Sequence, residues 1–259
     1  EIWEINPKFH KEGKVLHSMG WPLSDGTNGG SFLYHFDKNL VSIGYVIHLN
    51  YTNPYVSPFD EFQQFKTHPS IKKILEGGKR ISYGARAITA GGFQSVPKLF
   101  FPGGALIGCS AGFLNYPKIK GTHNAMESGI LAAESIIENF LSEDQNNDLS
   151  NYQEKYESSR IAKELKKVRN VKPFQSRYGV FLGTILSGID MWLNTFGITL
   201  PFTLSHIKPD YKTLKKASEC NEIIYPKPDG IFSFDKLSSV FLSNTNHEED
   251  QPAHLTLKD

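Results

Sequence analysis

Alternation of apolar and polar positions dominates the first third of the chain. Ser31-Phe-Leu-Tyr-His-Phe36 and the run from Leu40 to Leu49 are rich in β-branched and aromatic residues, and the polar spacer Asp37-Lys38-Asn39 joins them, which predicts a hairpin. Pro58 to Phe65 and Pro69 to Leu75 predict two short helices, each with proline at a permissive first-turn position. Leu106-Ile-Gly-Cys109 predicts a short buried strand. A loop containing glycine and proline follows, and from about Thr122 the residues Met126, Ile130, Leu131, Ala133, Ile137 and Phe140 recur at helical spacing. The predicted order is strand, loop, helix.

The pattern then changes. Glu143 to Ser150 (EDQNNDLS) predicts a surface loop, and Tyr152 to Lys172 a strongly charged helix. Gly179 to Ile198 predicts an amphipathic helix, with Leu182, Ile185, Leu186, Ile189, Leu193 and Phe196 on one face and Phe181 and Trp192 on its flank. Thr184, Ser187, Asp190 and Asn194 lie opposite. Such a helix packs on a core or lies on a membrane surface, and the basic run Lys166, Lys167, Arg169, Lys172, Arg177 just before it suits an anionic leaflet. From Ile207 on, apolar runs are few and Pro, Asp, Lys and Ser abound, which predicts an extended segment lying over another surface. No internal repeat is visible.

Composition narrows the class. With 259 residues, a formal net charge of +1, 39% hydrophobic and 21% charged residues, disorder, collagen and a disulfide scaffold are excluded. The near-zero charge speaks against bulk nucleic-acid binding. Two cysteines, Cys109 and Cys220, cannot alone ligate an iron-sulfur cluster or a structural zinc, and a reducing compartment is expected. No leader pattern is visible at Glu1-Ile2-Trp3, so a leader has been removed or the chain is an internal piece. No run of about 18 apolar residues occurs, which leaves peripheral membrane attachment open.

Glycine pairs stand at Gly29-Gly30, Gly77-Gly78, Gly91-Gly92 and Gly103-Gly104, where they serve tight turns or the close approach of a ligand to bare backbone. Gly108 to Gly112, followed by a helix start at Gly121-Thr122, has two readings. One is a plain crossover with turn glycines; the other is a cofactor site, because small residues admit a ligand and a helix N-terminus offers free N–H groups. Cys109 reads chiefly as a small hydrophobe closing a strand. The nine histidines, His10, His17, His35, His48, His68, His123, His206, His247 and His254, show no metal-ligand spacing, and no hydrolase signature stands out. No catalytic side chain and no metal ligand is assigned.

At GCSAGFLNYPKIKGTHNAMESGILAAES the chain resembles a flavin-contacting segment of the electron transfer flavoprotein-ubiquinone oxidoreductases. Further blocks resemble the same family in the same order: GWPLSDGTNGGSFLYH, NPYVSPFDEFQQFKTHPSI, LEGGKRISYGARAI, GGFQSVPKL, FPGGALIG, IIYPKPDG and LSSVFLSNTNHEEDQPAHLTL. The resemblance covers essentially the whole chain. It implies a fold that is α+β within an α/β FAD-dependent oxidoreductase framework: an antiparallel quinone-binding sheet with helices, plus a partial Rossmann-type FAD domain. It implies ubiquinone at Gly29 and Gly30, and FAD against Gly108, Cys109, Ser110, Ala111, Gly112, Gly121 and Thr122. It also implies a monotopic membrane contact through Phe181, Leu182, Ile185, Leu186, Ile189, Trp192, Leu193 and Phe196.

Two positions depart from the family pattern: Asn28, where tyrosine is usual, and Thr89, where asparagine is common. The family's GxGxxG fingerprint and its C-terminal cysteine set are absent, so the resemblance is to an internal portion. The expected organisation is 1–97, first part of the ubiquinone-binding domain; 98–142, the FAD-domain strand-loop-helix; 143–206, the basic and membrane-surface helices; and 207–259, a segment leading to the iron-sulfur domain. The implied activity passes electrons from reduced electron transfer flavoprotein through FAD and an iron-sulfur cluster, whose ligands are not in this chain, to ubiquinone. Further chains could supply the remaining domains. The alternative is a non-catalytic, membrane-peripheral subunit of a respiratory assembly that keeps the scaffold only. The implied location is the matrix face of the mitochondrial inner membrane, or the cytoplasmic face of a bacterial inner membrane.

Overall fold

The computed structural model describes residues 1–142 and 149–252. Of the surface loop expected over residues 143–150, residues 143–148 lie outside the described residues, as do residues 253–259 with His254. The chain forms two compact units, one of residues 1–85 with the segment from 210 on, the other of residues 86–209.

The first unit is built on a five-stranded antiparallel sheet. Its strands are β1 (Ile2–Glu4), β2 (Val15–Met19), β3 (Gly29–Phe36), β4 (Leu40–Ile47) and β5 (Lys79–Ser82), in the order β2-β3-β4-β1-β5. The expected hairpin is β3-β4, with Phe36 opposite Leu40 and Ser31 opposite Tyr45. Asp37 and Asn39 take positive φ in its turn, which Asp and Asn tolerate better than most residues. Every second residue of β3, Ser31, Leu33 and His35, points inward, while β2 at the sheet edge is exposed along its whole length.

Two helices cover the buried face, α1 (Pro58–Lys66) and α2 (Pro69–Leu75). Ser57 caps α1 by accepting from the Asp60 N–H, and His68 caps α2 by accepting from the Ser70 N–H; proline follows each cap, where it costs no helical hydrogen bond. Phe62, Phe65, Ile71 and Leu75 pack on Trp3, Ile5, Leu33, Val41 and Ile43. The segment from 210 on adds Phe232 to this core and ends its described part near a short helix, Lys236–Phe241.

The second unit carries the small hairpin β6 (Phe100–Phe101) and β7 (Gly104–Ala105), then α3 (Thr122–Leu141), α4 (Ser150–Ser158), α5 (Arg160–Lys167) and α6 (Val171–Thr195). With these numbers taken in chain order, Lys236–Phe241 is α7. Leu99, Ala111, Phe113, Tyr152, Tyr156, Ile161 and Leu165 form its core, with the Phe113 and Tyr156 rings stacked at 4.9 Å.

Three expectations are corrected. Leu106–Cys109 is not a strand: Gly108 takes φ +55°, which breaks the extended run and starts a tight 3-10 turn over Gly108–Ala111. Tyr152–Lys172 is not one helix, because Ser159 adopts extended backbone and uses its hydroxyl to cap α5 at the Ala162 N–H. The helix expected from 179 is the second part of α6, which Gly179 at φ +74° and ψ 179° interrupts. There the chain folds back: a Cβ on Gly183 would stand 2.7 Å from the Phe174 carbonyl oxygen, and the Ser187 hydroxyl donates to the Val171 carbonyl at 3.1 Å. Gly197 at φ +78° closes the helix, with the Ile198 N–H on the Leu193 carbonyl at 2.9 Å.

Candidate functional site

The first candidate region surrounds Gly29 and Gly30. The pair lies within β3 rather than in a turn before it, opposite Ile47 and Val46 of β4. Bare backbone is needed on both sides: a Cβ on Gly30 would stand 2.5 Å from the Ser18 carbonyl oxygen, and one on Gly29 would meet the Leu23 side chain and stand 2.7 Å from the Val46 carbonyl oxygen. Close packing of strand and loop therefore accounts for glycine here by itself. The segment between β2 and β3 is tied down at several points. The Gly20 N–H donates to the Gly29 carbonyl at 3.3 Å, the Tyr45 hydroxyl donates to the Gly20 carbonyl at 2.6 Å, and Asp25 Oδ1 accepts from the Thr27 N–H at 3.0 Å. Asp25 Oδ2 and Asn28 Oδ1 are buried with no hydrogen-bond partner among the described residues.

Sequence reasoning overlooked one group on this unit. Glu61 of α1 is 3% exposed; its Oε1 accepts the Tyr225 hydroxyl proton at 2.7 Å, and its Oε2 is buried without a partner among the described residues. Burial pushes its carboxyl above the ordinary range, and the Tyr225 hydrogen bond only partly offsets this. The available signal was spacing, since Glu61 stands one helical turn before the core residue Phe65 and so puts a carboxyl on the apolar side of α1. Nearby, Lys66 is wholly buried and pairs with the Glu1 carboxylate at 2.9 Å, yet burial lowers its pKa to about 8.

The second candidate region is the turn Gly108–Gly112 with the start of α3. Gly108 and Gly112 both have positive φ, and Gly121 begins α3 with no side-chain cap, leaving its first N–H groups without one. The Gly108 N–H donates to Ser128 Oγ at 3.0 Å, fixing turn to helix. Cys109 Sγ accepts the Thr89 N–H at 3.4 Å, which brings the departure at Thr89 onto this turn. Asn124 donates to the Phe113 carbonyl at 2.9 Å, with its Oδ1 buried and without a partner among the described residues. Glu164 collects Asn115 at 2.6 Å and His123 at 3.1 Å; burial works against its charge, but these bonds and Lys118 hold its carboxyl below the ordinary range.

The third region is the second part of α6. Phe181, Leu182, Ile185, Ile189, Trp192 and Phe196 are exposed, with Leu186 and Leu193 half-buried. Gly183, Ser187 and Asp190 face inward. The amphipathic helix is turned inside out. Of the basic run before it, Arg169 does not face solvent: its guanidinium is spent on the carbonyls of Lys166, Leu200 and Phe202 and on Thr203 Oγ1. No helix among the described residues is long and apolar enough to cross a membrane.

Residues 1–88 match a family model described as "ETF-QO, ubiquinone-binding", and residues 230–259 one described as "Electron transfer flavoprotein-ubiquinone oxidoreductase, 4Fe-4S". The chain is 55% identical over its whole length to the electron transfer flavoprotein-ubiquinone oxidoreductase of Pseudomonas aeruginosa, of which it spans 47%. It is 56% and 55% identical to the mitochondrial proteins of that name from Bos taurus and Homo sapiens, of each of which it spans 43%. Both family models and these relatives carry the name of one family, the electron transfer flavoprotein-ubiquinone oxidoreductases. It spans about half the length of the curated relatives it matches. Within this family frame, the ubiquinone-binding match covers the five-stranded sheet, α1 and α2, and the 4Fe-4S match begins in the segment that delivers Phe232 and α7 to the same unit.

Proposed function

We propose that this chain is the quinone-binding and membrane-facing portion of a flavoprotein that passes electrons from reduced electron transfer flavoprotein, through FAD and an iron-sulfur cluster, to ubiquinone. The observation that carries the reading is the match of residues 1–88 to the family's ubiquinone-binding model, together with whole-length identity to enzymes of that name. Gly29 and Gly30 are assigned to the quinone on the family resemblance, since the space where their Cβ atoms would stand is taken by Leu23, Val46 and Ser18.

FAD suits the second region. The bare turn Gly108, Cys109, Ser110, Ala111, Gly112 and the uncapped helix start at Gly121 and Thr122 offer backbone N–H groups and a positive dipole end to an electron-rich ring edge. When bound, the flavin supplies one- and two-electron redox chemistry; the chain's own part is to orient its edge and stabilise negative charge there. An iron-sulfur cluster does not suit this chain alone, since its only cysteines are Cys109 and Cys220, one in each unit. No step is derived through the cluster.

Membrane attachment is assigned to the second part of α6. Phe181, Trp192 and Phe196 are 83%, 73% and 71% exposed, a cost in water that an interfacial depth in a lipid leaflet removes. The corresponding location is the matrix face of the mitochondrial inner membrane or the cytoplasmic face of a bacterial one.

The test is to reduce the flavin- and cluster-loaded protein and mix it with a short-chain ubiquinone while following the flavin bands. Reoxidation that saturates with quinone concentration is expected. Failure to reoxidise, with the cofactors in place, overturns the reading.

A further inference from the structure

Quinone reduction consumes protons as well as electrons, and one buried group stands ready to hold them. The Ser57 N–H donates to the Tyr225 oxygen at 3.0 Å, so the single Tyr225 proton points the other way, to Glu61 Oε1 at 2.7 Å. Burial pushes the Tyr225 hydroxyl itself far above its ordinary range, which keeps it a donor. Oε1 is thereby committed as an acceptor. Oε2 is the atom left over: it is buried, no donor among the described residues reaches it, and the side chain belongs to a residue only 3% exposed. An ionised carboxylate oxygen in that position carries an unrelieved desolvation cost, whereas a proton on Oε2 removes the charge.

The groups facing Glu61 add to this. Asp60 on the same helix and Asp25 in the segment between β2 and β3 both raise its proton affinity, and Tyr45 of β4 feels its charge. Lys236 lies on Asp60 at 3.8 Å and not on Glu61. These neighbours also place the carboxyl. Tyr45 anchors Gly20, Gly20 anchors Gly29, and Asp25 Oδ2 and Asn28 Oδ1 of the same segment are buried and without partners among the described residues. Tyr45 ties the two regions together, its hydroxyl on the Gly20 carbonyl and its ring 5.2 Å from that of Phe65, one turn after Glu61 on α1.

We infer that Glu61 is a proton reservoir for the quinone held at Gly29–Gly30. The inference rests on the quinone reading above. In the balanced step, the quinone takes two electrons from the enzyme's electron donors and two protons. Glu61 gives one proton from Oε2, through the polar groups of the 20–29 segment or a water among them, and is left as a carboxylate. Solvent supplies the second proton and then reprotonates Glu61, so that quinone plus two electrons plus two protons gives quinol. Glu61 acts through intervening groups and is a positioning residue in that sense.

The test compares wild type, Glu61→Gln and Glu61→Asp in the cofactor-loaded protein across pH. Glutamine keeps an acceptor for Tyr225 and the side-chain volume, and equal melting temperatures check the fold. The expected result for Glu61→Gln is a fall of about 100-fold in quinone turnover at neutral and alkaline pH, the scale of a lost proton-transfer group. The deficit narrows toward acid, the quinone KM is unchanged, and Glu61→Asp recovers part of the rate. Independently of turnover, infrared spectra of the wild type at neutral pH should carry a protonated-carboxyl stretch that shifts in heavy water and is missing from Glu61→Gln. A Glu61→Gln protein with wild-type rate and pH profile overturns the inference, and so does absence of that stretch from the wild type. Loss of quinone binding from wild type and variant alike overturns the quinone reading instead, and the delivery role with it.

Discussion

Helices α5 and α6 are neighbours in the sequence and opposites in space. On α5, Ile161, Ala162 and Leu165 are buried while Lys163, Lys166 and Lys167 face solvent, the ordinary arrangement for a helix on a core. On the second part of α6, Ser187 and Asp190 are 4% and 2% exposed while Trp192 and Phe181 are 73% and 83% exposed. Both helices are amphipathic, so amphipathicity alone does not say which side is inside. The inner side of α6 is set by the fold-back at Gly179, which brings Gly183 against Phe174–Gln175 with no room for a side chain. Only the glycine and the small, polar residues can line that contact, and the bulky apolar residues are left outside. The α3 helix shows the same inversion, burying Asn124, Ser128, Ala132 and Ser135 and exposing Met126, Ile130, Ile137 and Phe140. What sets α6 apart is its concentration of exposed aromatics, which suits a lipid interface.

The contrast can be broken most directly by removing bulk from each side. Leu165→Ala deletes a fully buried side chain and should cost about 2–5 kcal/mol in urea unfolding, whereas Ile189→Ala, at a half-exposed site, should cost about 0.5 kcal/mol or less. Equal costs would mean that α6 buries its apolar side after all. Next in size is membrane binding. Phe181→Ser with Trp192→Ser should lower partitioning onto anionic vesicles by about tenfold or more, because each aromatic ring contributes on the order of 1.5–3 kcal/mol when fully buried and 1.4 kcal/mol is a factor of ten. Co-sedimentation at fixed salt reads this, and unchanged binding would remove α6 from the interface.

The smallest effect concerns the polar side of α6. Burial raises the Asp190 carboxyl above its ordinary range, more than Arg169 and Asn194 lower it. An acid whose folded pKa is raised contributes stability when protonated, and that contribution is lost as pH rises from the ordinary carboxylate range through the raised value. Wild-type unfolding midpoints should therefore fall with rising pH over that interval, and Asp190→Asn should flatten the slope. A variant that keeps the full slope would put the titration elsewhere.

Much of the local structure was legible in the chain. The hairpin from Ser31, the two proline-led helices and the helix from Thr122 follow from alternation, caps and spacing, which act over a few residues. The misses have local causes too. Gly108 could be read as a strand residue until its positive φ was known, and Ser158-Ser159 resembled ordinary surface helix until Ser159 proved to cap α5. The candidate site was legible only as named residues, through family blocks. Glu61 escaped because its partner Tyr225 lies 164 residues away, and no window along the chain links the two.

The sequence by itself determined the family resemblance, the β3-β4 hairpin, the two proline-led helices and the helix from Thr122, since these depend on residue type and short-range sterics. Tertiary structure alone decided which side of α6 faces out, that Arg169 is consumed by the 200–203 loop, and that Glu61 is left with one buried oxygen without a donor. Each of these depends on which distant segment occupies the space beside a side chain. Burial and hydrogen-bond supply are properties of that space and not of the residue.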